Sequence, residues 1–310
     1  MRRLVGLVSI AVAFAGAPAG AHAQASTGDQ WLRRPVDART FATFLDFFTY
    51  DRALRFETVR GDSADLGGVR RVHVTFVSTP GVRVPALLYE PSGGPSPRPA
   101  VILIHGGSAA GKQTAAAVQL SQLMSRAGFT VLAIDMPHFG ERQDGLFTLF
   151  TNPEKAERLY NQPPAYLAFV TQLVKDVGRS YDWLTAEGEA DPRRVALVGF
   201  SRGAQEAFIA GGADRRIAAV AGLYGGHFDA LETGHLAAAC PANYIGHISP
   251  RPLLMINGTQ DQDFFRAVSV EPLFRLARQP RRIEWAETGH QLPTPEHQAM
   301  LVEWLREQLR

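Results

Sequence analysis

From residue 100 onward, short apolar runs alternate with longer segments whose apolar residues recur every three or four positions. The apolar runs cover residues 100–104, 130–135, 194–200, 217–223, 252–257 and 281–287. The segments with helical spacing cover residues 114–127, 165–186, a stretch that starts near 202, 265–278 and 295–309. Strands that are apolar throughout are buried on both faces. The pattern therefore predicts an α/β fold with a doubly wound, mainly parallel sheet and helices on both faces.

The part of the chain before this alternation predicts a different kind of strand pairing. Apolar and polar residues alternate from residue 70 or 71 to 78, a second strand-like run covers 82–90, and Pro80 and Gly81 separate the two. Two such runs joined by a turn predict an antiparallel hairpin at the start of the sheet. Upstream, residues 37–55 space apolar side chains at helical intervals, which predicts a helix packed on the edge of the core.

The first 23 residues have the order of segments found in a secretory signal peptide. Two arginines precede an apolar run, and small residues flank His22 before the expected cleavage after Ala23. We expect export to the periplasm or out of the cell, with residues 24–310 as one domain. The alternative, an uncleaved membrane anchor, requires about 20 consecutive apolar residues, and the apolar run is shorter than that.

The charge balance adds no evidence for a charged partner. The formal net charge of +2 comes from 32 basic and 30 acidic residues. Because the leader contains two of the basic residues and no acidic one, the mature chain would carry 30 of each sign. No basic cluster with interleaved aromatic residues remains, so a nucleic-acid partner is not expected. The one cysteine, Cys240, cannot form an internal disulfide, so stability has to come from a large hydrophobic core.

A sharp turn that could carry a reactive side chain overlaps the end of the apolar run 194–200. Gly199, Phe200, Ser201, Arg202 and Gly203 form a Gly-x-Ser-x-Gly sequence at a strand-to-helix transition. Glycines flank the serine because such a turn leaves no room for side chains, and the hydroxyl is exposed at its tip. The following helix N-terminus stabilises developing negative charge. We therefore predict that Ser201 is a nucleophile.

A serine nucleophile requires a base, and the base requires an orienting acid. In a sheet of this kind the acid and then the histidine are expected after later strands. Asp261 and Asp263 follow the run 252–257, and His290 follows the run 281–287. We assign His290 as the base and Asp261 as the acid, with Asp263 as the alternative acid.

The stretch VILIHGGSAAGKQT, residues 101–114, is open to two interpretations. Gly106, Gly111 and Lys112 nearly match a phosphate-binding P-loop, but Gln113 stands where that motif needs Ser or Thr. The stretch also resembles an oxyanion-hole loop, which the predicted nucleophile favours. The backbone N–H of Gly107, or alternatively that of Ser108, would then join that of Arg202 in binding an oxyanion. His105 would hold the loop, and Lys112 is expected in solvent.

Taken together, these segments resemble the α/β-hydrolase superfamily over nearly the entire mature chain. The HGG sequence, the run 171–203, the RPLLMING segment with its following Asp261, and Gly289-His290 are similar to the acetyl xylan esterase, dienelactone-hydrolase-like and prolyl-oligopeptidase-like branch. The resemblance implies an α/β-hydrolase fold and an acyl-enzyme mechanism without metal or organic cofactor. The true dienelactone hydrolases of this branch carry cysteine where this chain has Ser201, and the chain has no room for the propeller of the prolyl peptidases, so an esterase is favoured.

Two further segments have less definite roles. Residues 137–165 are longer than a simple connection, and their Phe147, Phe150 and Tyr160 could form a lid or acyl pocket over Ser201 or could pack on the sheet. Asp135, His138 and Glu141 lie at the end of the apolar run 130–135 and just after it, and we expect these polar residues to fix a loop.

The histidines between residues 225 and 248 could suggest a metal site. The spacing of His227, His235 and His247 matches neither a helical i, i+4 pair nor a zinc motif, so no metal site is expected there.

The sequence therefore favours an exported serine hydrolase that cleaves a small-molecule or carbohydrate-linked ester. An exported serine peptidase of the same fold would use the same residues. A ligand-binding protein that kept the scaffold is the third alternative, but it has no need for an activated serine. The acyl group, the alcohol group and the oligomeric state are not determined by the sequence.

Overall fold

The structure of the chain, a computed structural model, describes residues 30–94, 96–143, 154, 156–227 and 236–310. Its nine-stranded sheet has the order β1-β2-β3-β5-β4-β6-β7-β8-β9. The strands are β1 (Val59–Asp65), β2 (Val69–Thr79), β3 (Val82–Pro91), β4 (Arg98–Ile104), β5 (Thr130–Ile134), β6 (Ala190–Phe200), β7 (Ala219–Leu223), β8 (Leu253–Gly258) and β9 (Arg281–Ala286).

Strand directions divide the sheet into an antiparallel and a parallel part. β1, β2 and β3 pair antiparallel with one another, and β3 joins β5 antiparallel. β4 to β9 pair parallel throughout. This mainly parallel sheet with an antiparallel N-terminal hairpin confirms the predicted fold class. β4 lies between β5 and β6, so the chain reverses its direction of winding there, and ligands bind at the carboxyl ends of strands at such a point.

Helices cover both faces of the sheet. They are α1 (Gln30–Arg33), α2 (Ala38–Asp46), α3 (Ala115–Arg126), α4 (Pro163–Ala186), α5 (Arg202–Ala213), α6 (Glu271–Leu276) and α7 (Pro295–Gln308). Side chains of α2, α4 and α5 share one core cluster with Ile102 and Ile104 of β4. Side chains of α3 and α7 share the other cluster with Val101 and Leu103. Alternate residues of the central strand thus enter opposite cores, as the continuous apolar runs predicted.

Two helices differ from the sequence-based prediction for reasons of tertiary packing. The helix predicted over 37–55 ends at Asp46, because the chain then turns so that the Tyr50 hydroxyl donates to Asp182 of α4 at 2.9 Å. The segment predicted as helix 265–278 contains a π-helical turn, Arg266–Val270, before α6.

The edge strand β1 was not predicted. Its sequence, VRGDSAD, is exposed along almost its whole length and carries no apolar alternation. Pairing with β2 forms it, and the register shifts between Arg60 and Ser63. A strand stabilised by backbone pairing alone leaves little hydrophobic signal in the sequence.

No helix within the described residues is both long and apolar enough to cross a membrane. The predicted leader, residues 1–23, lies outside the described residues. Its cleavage, and the treatment of 24–310 as one domain, stay predictions.

Trp183 of α4 connects the antiparallel part of the sheet to the core. The indole ring is fully buried and stacks on Phe76 of β2, with centroids 5.5 Å apart. Its Nε1–H donates to the Thr58 hydroxyl at 2.9 Å. Thr58 is thus the hydrogen-bond partner that allows the indole to be buried.

We expect Thr58→Val to lower the free energy of unfolding by about 1–3 kcal/mol, because a buried N–H loses its acceptor. Thr58→Ser keeps the hydroxyl and is the matched control. Urea denaturation of the three proteins measures the difference, and equal stability of the Val and wild-type proteins would contradict this role for the hydrogen bond.

Candidate active site

Ser201 occupies a strained turn between β6 and α5. Its backbone has φ 55° and ψ −121°, a conformation that residues with side chains rarely adopt. A Cβ on Gly203 would collide with the carbonyl oxygens of Ile104 and His105, and one on Gly199 would collide with the Gly203 backbone. The turn therefore requires glycines at both positions, as the Gly-x-Ser-x-Gly pattern predicted.

His290 lies between Ser201 and Asp261. Its Nε2 is 2.8 Å from the Ser201 hydroxyl oxygen, and its Nδ1 is 2.8 Å from Asp261 Oδ2. Asp261 follows β8, and His290 follows β9. These three side chains, separated widely in the sequence, thus form one hydrogen-bonded chain at the carboxyl ends of three strands. In this arrangement the imidazole can accept a proton from the serine while the carboxylate fixes its ring and tautomer.

The two candidate acids occupy different environments. The Asp261 side chain is fully buried, and its Oδ1 accepts hydrogen bonds from the backbone N–H groups of Asp263 and Phe264 at 2.8 and 3.0 Å. The Asp263 side chain is 69% exposed, and its Oδ2 lies 3.7 Å from Nε2 of His290, the nitrogen that faces Ser201. The geometry favours Asp261 as the orienting acid.

Aromatic rings surround the His290 imidazole on several sides. The rings of Phe200, Tyr224 and Phe264 have centroids 5.9, 6.1 and 5.7 Å from that of His290. The Tyr224 hydroxyl is 2.7 Å from the Thr288 hydroxyl, two residues before His290. Packing and hydrogen bonding thus limit the rotation of the imidazole.

The loop after β4 lies directly against the Ser201 turn. A Cβ on Gly106 would lie 3.3 Å from the Ser201 Cβ, and one on Gly107 would lie 3.5 Å from the Arg202 Cβ and 3.6 Å from the Tyr160 hydroxyl. The backbone N–H of Ser108 donates to the Gly106 carbonyl at 2.8 Å, so this donor is engaged within the loop. The Arg202 guanidinium lies over the Tyr160 ring, 3.9 Å from its centroid.

Comparison with known proteins identifies the family. The model of the dienelactone hydrolase family matches residues 84–279, more than half of the chain. The chain belongs to the dienelactone hydrolase family. Members of this family are hydrolytic enzymes, so the expectation of a carboxylic ester hydrolase is confirmed at the family level. No curated protein matches the chain significantly.

Solved structures with the same fold include several esterases. Acetyl xylan esterase 1 from Thermoanaerobacterium sp. JW/SL YS485 has a TM-score of 0.71 at 16% identity, over 92% of this chain and 97% of that one. The acetyl xylan esterase from Paenibacillus sp. R4 has a TM-score of 0.66 at 15% sequence identity, and the match covers 90% of this chain and 99% of that one. A cold-adapted esterase from an Arctic intertidal metagenomic library has a TM-score of 0.62 at 17% sequence identity, and the match covers 83% of this chain and 100% of that one. At these identities the similarity establishes the α/β-hydrolase fold.

His105 connects the loop after β4 to the segment that follows the neighbouring strand β5. One ring nitrogen, Nδ1, donates to the Gly106 carbonyl at 2.6 Å, and Nε2 accepts from the Met136 N–H at 3.1 Å. Burial lowers the pKa of His105 to about 4, with the Asp135 charge acting in the opposite direction. His105 is therefore neutral at physiological pH and holds the loop, as the sequence predicted.

The expectation that Lys112 is solvated is wrong. The side chain is 1% exposed, and its Nζ lies 2.5 Å from Asp135 Oδ2 and 2.5 Å from Glu141 Oε1. Asp135 is itself fully buried. Asp135 and Glu141 follow β5, and Lys112 follows the neighbouring strand β4, so both carboxylates lie at the same edge of the sheet as the lysine. The ammonium group therefore binds these carboxylates instead of water. Their position after a predicted strand was the signal available in the sequence.

Asp135 and Glu141 have the loop-fixing contacts that the sequence predicted. Glu141 also faces His73, whose Nε2 lies 3.0 Å from both carboxylate oxygens. Partial burial opposes ionisation of Glu141, but the hydrogen bond and charge of Lys112, and then those of His73, outweigh it and lower the pKa of the carboxyl.

Other predicted residues lie apart from this site or outside the described residues. His247 stacks on Phe41 with ring centroids 3.6 Å apart, and His227 is buried with Nδ1 4.0 Å from Cys240 Sγ. Tyr160 is the member of the proposed lid that can be placed, and it is buried. Phe147, Phe150 and His235 lie outside the described residues, so a lid over 137–165 stays a prediction.

Within the residues described, one group of potential metal ligands is sufficiently compact to consider. Ligand atoms of Asp261, Asp263 and His290 lie within 4.8 Å of one another. Both ring nitrogens of His290 already face hydrogen-bond partners, Asp261 and Ser201. The arrangement therefore fits proton transfer without a metal.

We expect the stability of the protein to fall as the pH drops from 6.5 to 4. In this window the unfolded His105, with its ordinary pKa of 6.5, binds a proton that the folded residue, with a pKa of about 4, does not. This difference amounts to on the order of 3 kcal/mol at pH 4 and vanishes above pH 6.5.

Urea denaturation at a series of pH values measures this dependence. His105→Gln retains a donor and an acceptor but lacks the titration, so its stability should fall less steeply in the same window. Parallel curves for the two proteins would contradict the assignment.

Proposed function

We propose that the protein is a serine esterase that forms an acyl-enzyme intermediate through Ser201, His290 and Asp261. One observation carries the proposal: the His290 imidazole lies 2.8 Å from the Ser201 hydroxyl on one side and 2.8 Å from the Asp261 carboxylate on the other. Membership of the dienelactone hydrolase family supports it, because that family is hydrolytic.

Acylation begins at the serine. The Ser201 oxygen attacks the ester carbonyl carbon while its proton moves to His290 Nε2, and the carbonyl π electrons move onto the carbonyl oxygen. Asp261 stabilises the imidazolium that results. The tetrahedral intermediate collapses as the alcohol leaves, and the alkoxy oxygen takes the proton from Nε2. Water then repeats the sequence on the acyl-enzyme and releases the acid.

The oxyanion requires donors on the side of the carbonyl opposite His290. We assign this role to the backbone N–H groups of Gly107 and Arg202. The contact between Gly107 and the first residue of α5 supports the assignment. The N-terminus of a twelve-residue helix adds a partial positive charge at the same place.

A small-molecule or carbohydrate-linked ester is the proposed substrate class. The similarity in fold to two acetyl xylan esterases supports this choice. We also propose export with cleavage after Ala23, on the basis of the leader sequence. An exported enzyme with a single, buried cysteine does not depend on disulfide formation.

We expect Ser201→Ala to reduce kcat on p-nitrophenyl acetate by roughly 10³-fold or more, because the acyl-enzyme can no longer form. Release of nitrophenol by the purified, folded proteins is the measurement, and a series of longer acyl chains would size the acyl pocket. Full activity of the variant would rule out Ser201 as the nucleophile.

Replacement of each candidate acid distinguishes their roles. Asp261→Asn should reduce kcat by roughly 10³- to 10⁴-fold, because the imidazole loses both its orientation and its counter-charge. Asp263→Asn, at the exposed position, should change kcat by less than about 5-fold, since exposed charges interact weakly. The same ester assay measures both, and the reverse order of effects would make Asp263 the acid.

A further inference from the structure

The near-P-loop lysine has a position that neither a phosphate site nor solvent exposure explains. Lys112 Nζ contacts Asp135 and Glu141, as described above, and the Lys112 backbone N–H also donates to Asp135 Oδ1 at 2.8 Å. The backbone N–H of Glu141 donates to Asp135 Oδ2 at 3.0 Å. One buried carboxylate thus binds the loop after β4 and the loop after β5 together. Because Nζ is already bound to two carboxylates in the interior, it is not placed to receive a phosphate.

The backbone around Asp135 is built to admit this carboxylate. Gly111 has φ 59° and Gly140 has φ 56°, in the left-handed region that favours glycine. A Cβ on either residue would collide with the Asp135 carboxylate. Both loops therefore approach the same carboxylate at positions where only glycine fits.

Hydrogen bonds continue from this buried pair to the residues on either side of Gly107. The Gly111 N–H donates to the Ser108 carbonyl at 2.9 Å, and the Gly140 N–H donates to the Ala109 carbonyl at 3.0 Å. On the other side of Gly107, His105 binds Met136 and the Gly106 carbonyl. Residues 105–111, which include Gly107, are thus held at both ends by contacts with the segment that follows β5.

We infer that Lys112 is a positioning residue, which acts through Asp135 to hold the Gly107 N–H where the oxyanion forms. The inference rests on the proposed function and extends it to a residue that does not contact substrate. A buried ion pair is weak evidence for net stability, since desolvation of both charges offsets their attraction. Its main effect here is on geometry, and a displacement of about 1 Å at a reacting group lowers rates by roughly 10²-fold.

Loss of this position affects the transition state more than the bound ester, because the oxyanion gains its full charge only there. Lys112→Met should therefore reduce kcat by roughly 10- to 100-fold and change KM by less than about 3-fold. A boronic acid, which forms a tetrahedral adduct with Ser201, should bind more weakly by a similar factor.

The chain offers a matched control in Arg216. Its guanidinium also contacts two carboxylates, Asp182 and Asp214, each at 2.5 Å. Arg216 precedes β7, so it lies at the amino ends of the parallel strands, opposite the candidate active site. Arg216→Met should lower stability as Lys112→Met does, with kcat within about 2-fold of wild type, since its ion pairs do not touch the loop.

The experiment compares wild type, Lys112→Met and Arg216→Met at a temperature where near-ultraviolet circular dichroism gives all three as folded. Kinetics on p-nitrophenyl acetate are combined with amide hydrogen exchange of the peptide that covers residues 105–113. The expected result is faster exchange of this peptide and a kcat-specific loss in Lys112→Met alone. Equal kcat losses in the two variants, or an unchanged kcat in Lys112→Met, would overturn the inference.

A second variant covers the case in which Lys112→Met does not fold. Glu141 is 39% exposed, so Glu141→Gln removes one of the two carboxylates with less risk to folding. It should reduce kcat by about 3- to 10-fold with KM unchanged, and a wild-type kcat would count against the inference. Hydrolysis that depends on Ser201 in the wild type tests the proposed function separately, and hydrogen exchange reports on the loop whether or not an ester is cleaved.

Discussion

The close approach of α5 to the end of β4 is the constraint on which the candidate active site depends. Gly203 packs against the carbonyl oxygens of Ile104 and His105, so the first turn of α5 is in direct contact with the end of β4. This contact brings Ser201 and Gly107 close together, although the two residues are 94 positions apart in the sequence. A side chain at position 203 would push the Ser201 turn away from the loop that carries the proposed oxyanion donor Gly107, although it would not alter any reacting group itself.

Strand order then explains why the remaining groups arrive at this point. In a parallel sheet every strand ends at the same edge, so residues that follow β4, β6, β8 and β9 meet without any long-range sequence signal. Together with the Gly-x-Ser-x-Gly sequence and the expected order of serine, acid and histidine, that rule predicted Ser201, Asp261 and His290. The structure brings the three side chains together. Fold class and most of the strands followed from hydrophobic periodicity in the same way.

Features that depend on tertiary contacts were less accessible to prediction. Lys112 was expected in solvent because a lysine gives no local sign of burial, and its two carboxylate partners are 23 and 29 residues away. β1 has no apolar pattern, since pairing with β2 alone defines it. The early end of α2 reflects a contact with α4 that helical spacing does not encode. Each difference arises where a partner distant in sequence outweighs local preference.

The polar edge strand has a consequence for the behaviour of the folded protein in concentrated solution. An exposed strand edge is a template on which another chain can extend the sheet. β1 presents charged side chains along this edge, and the irregularity between Arg60 and Ser63 interrupts its row of hydrogen-bonding groups. The irregular, charged strand thus makes this edge of the nine-stranded sheet a poor template for a strand of another chain.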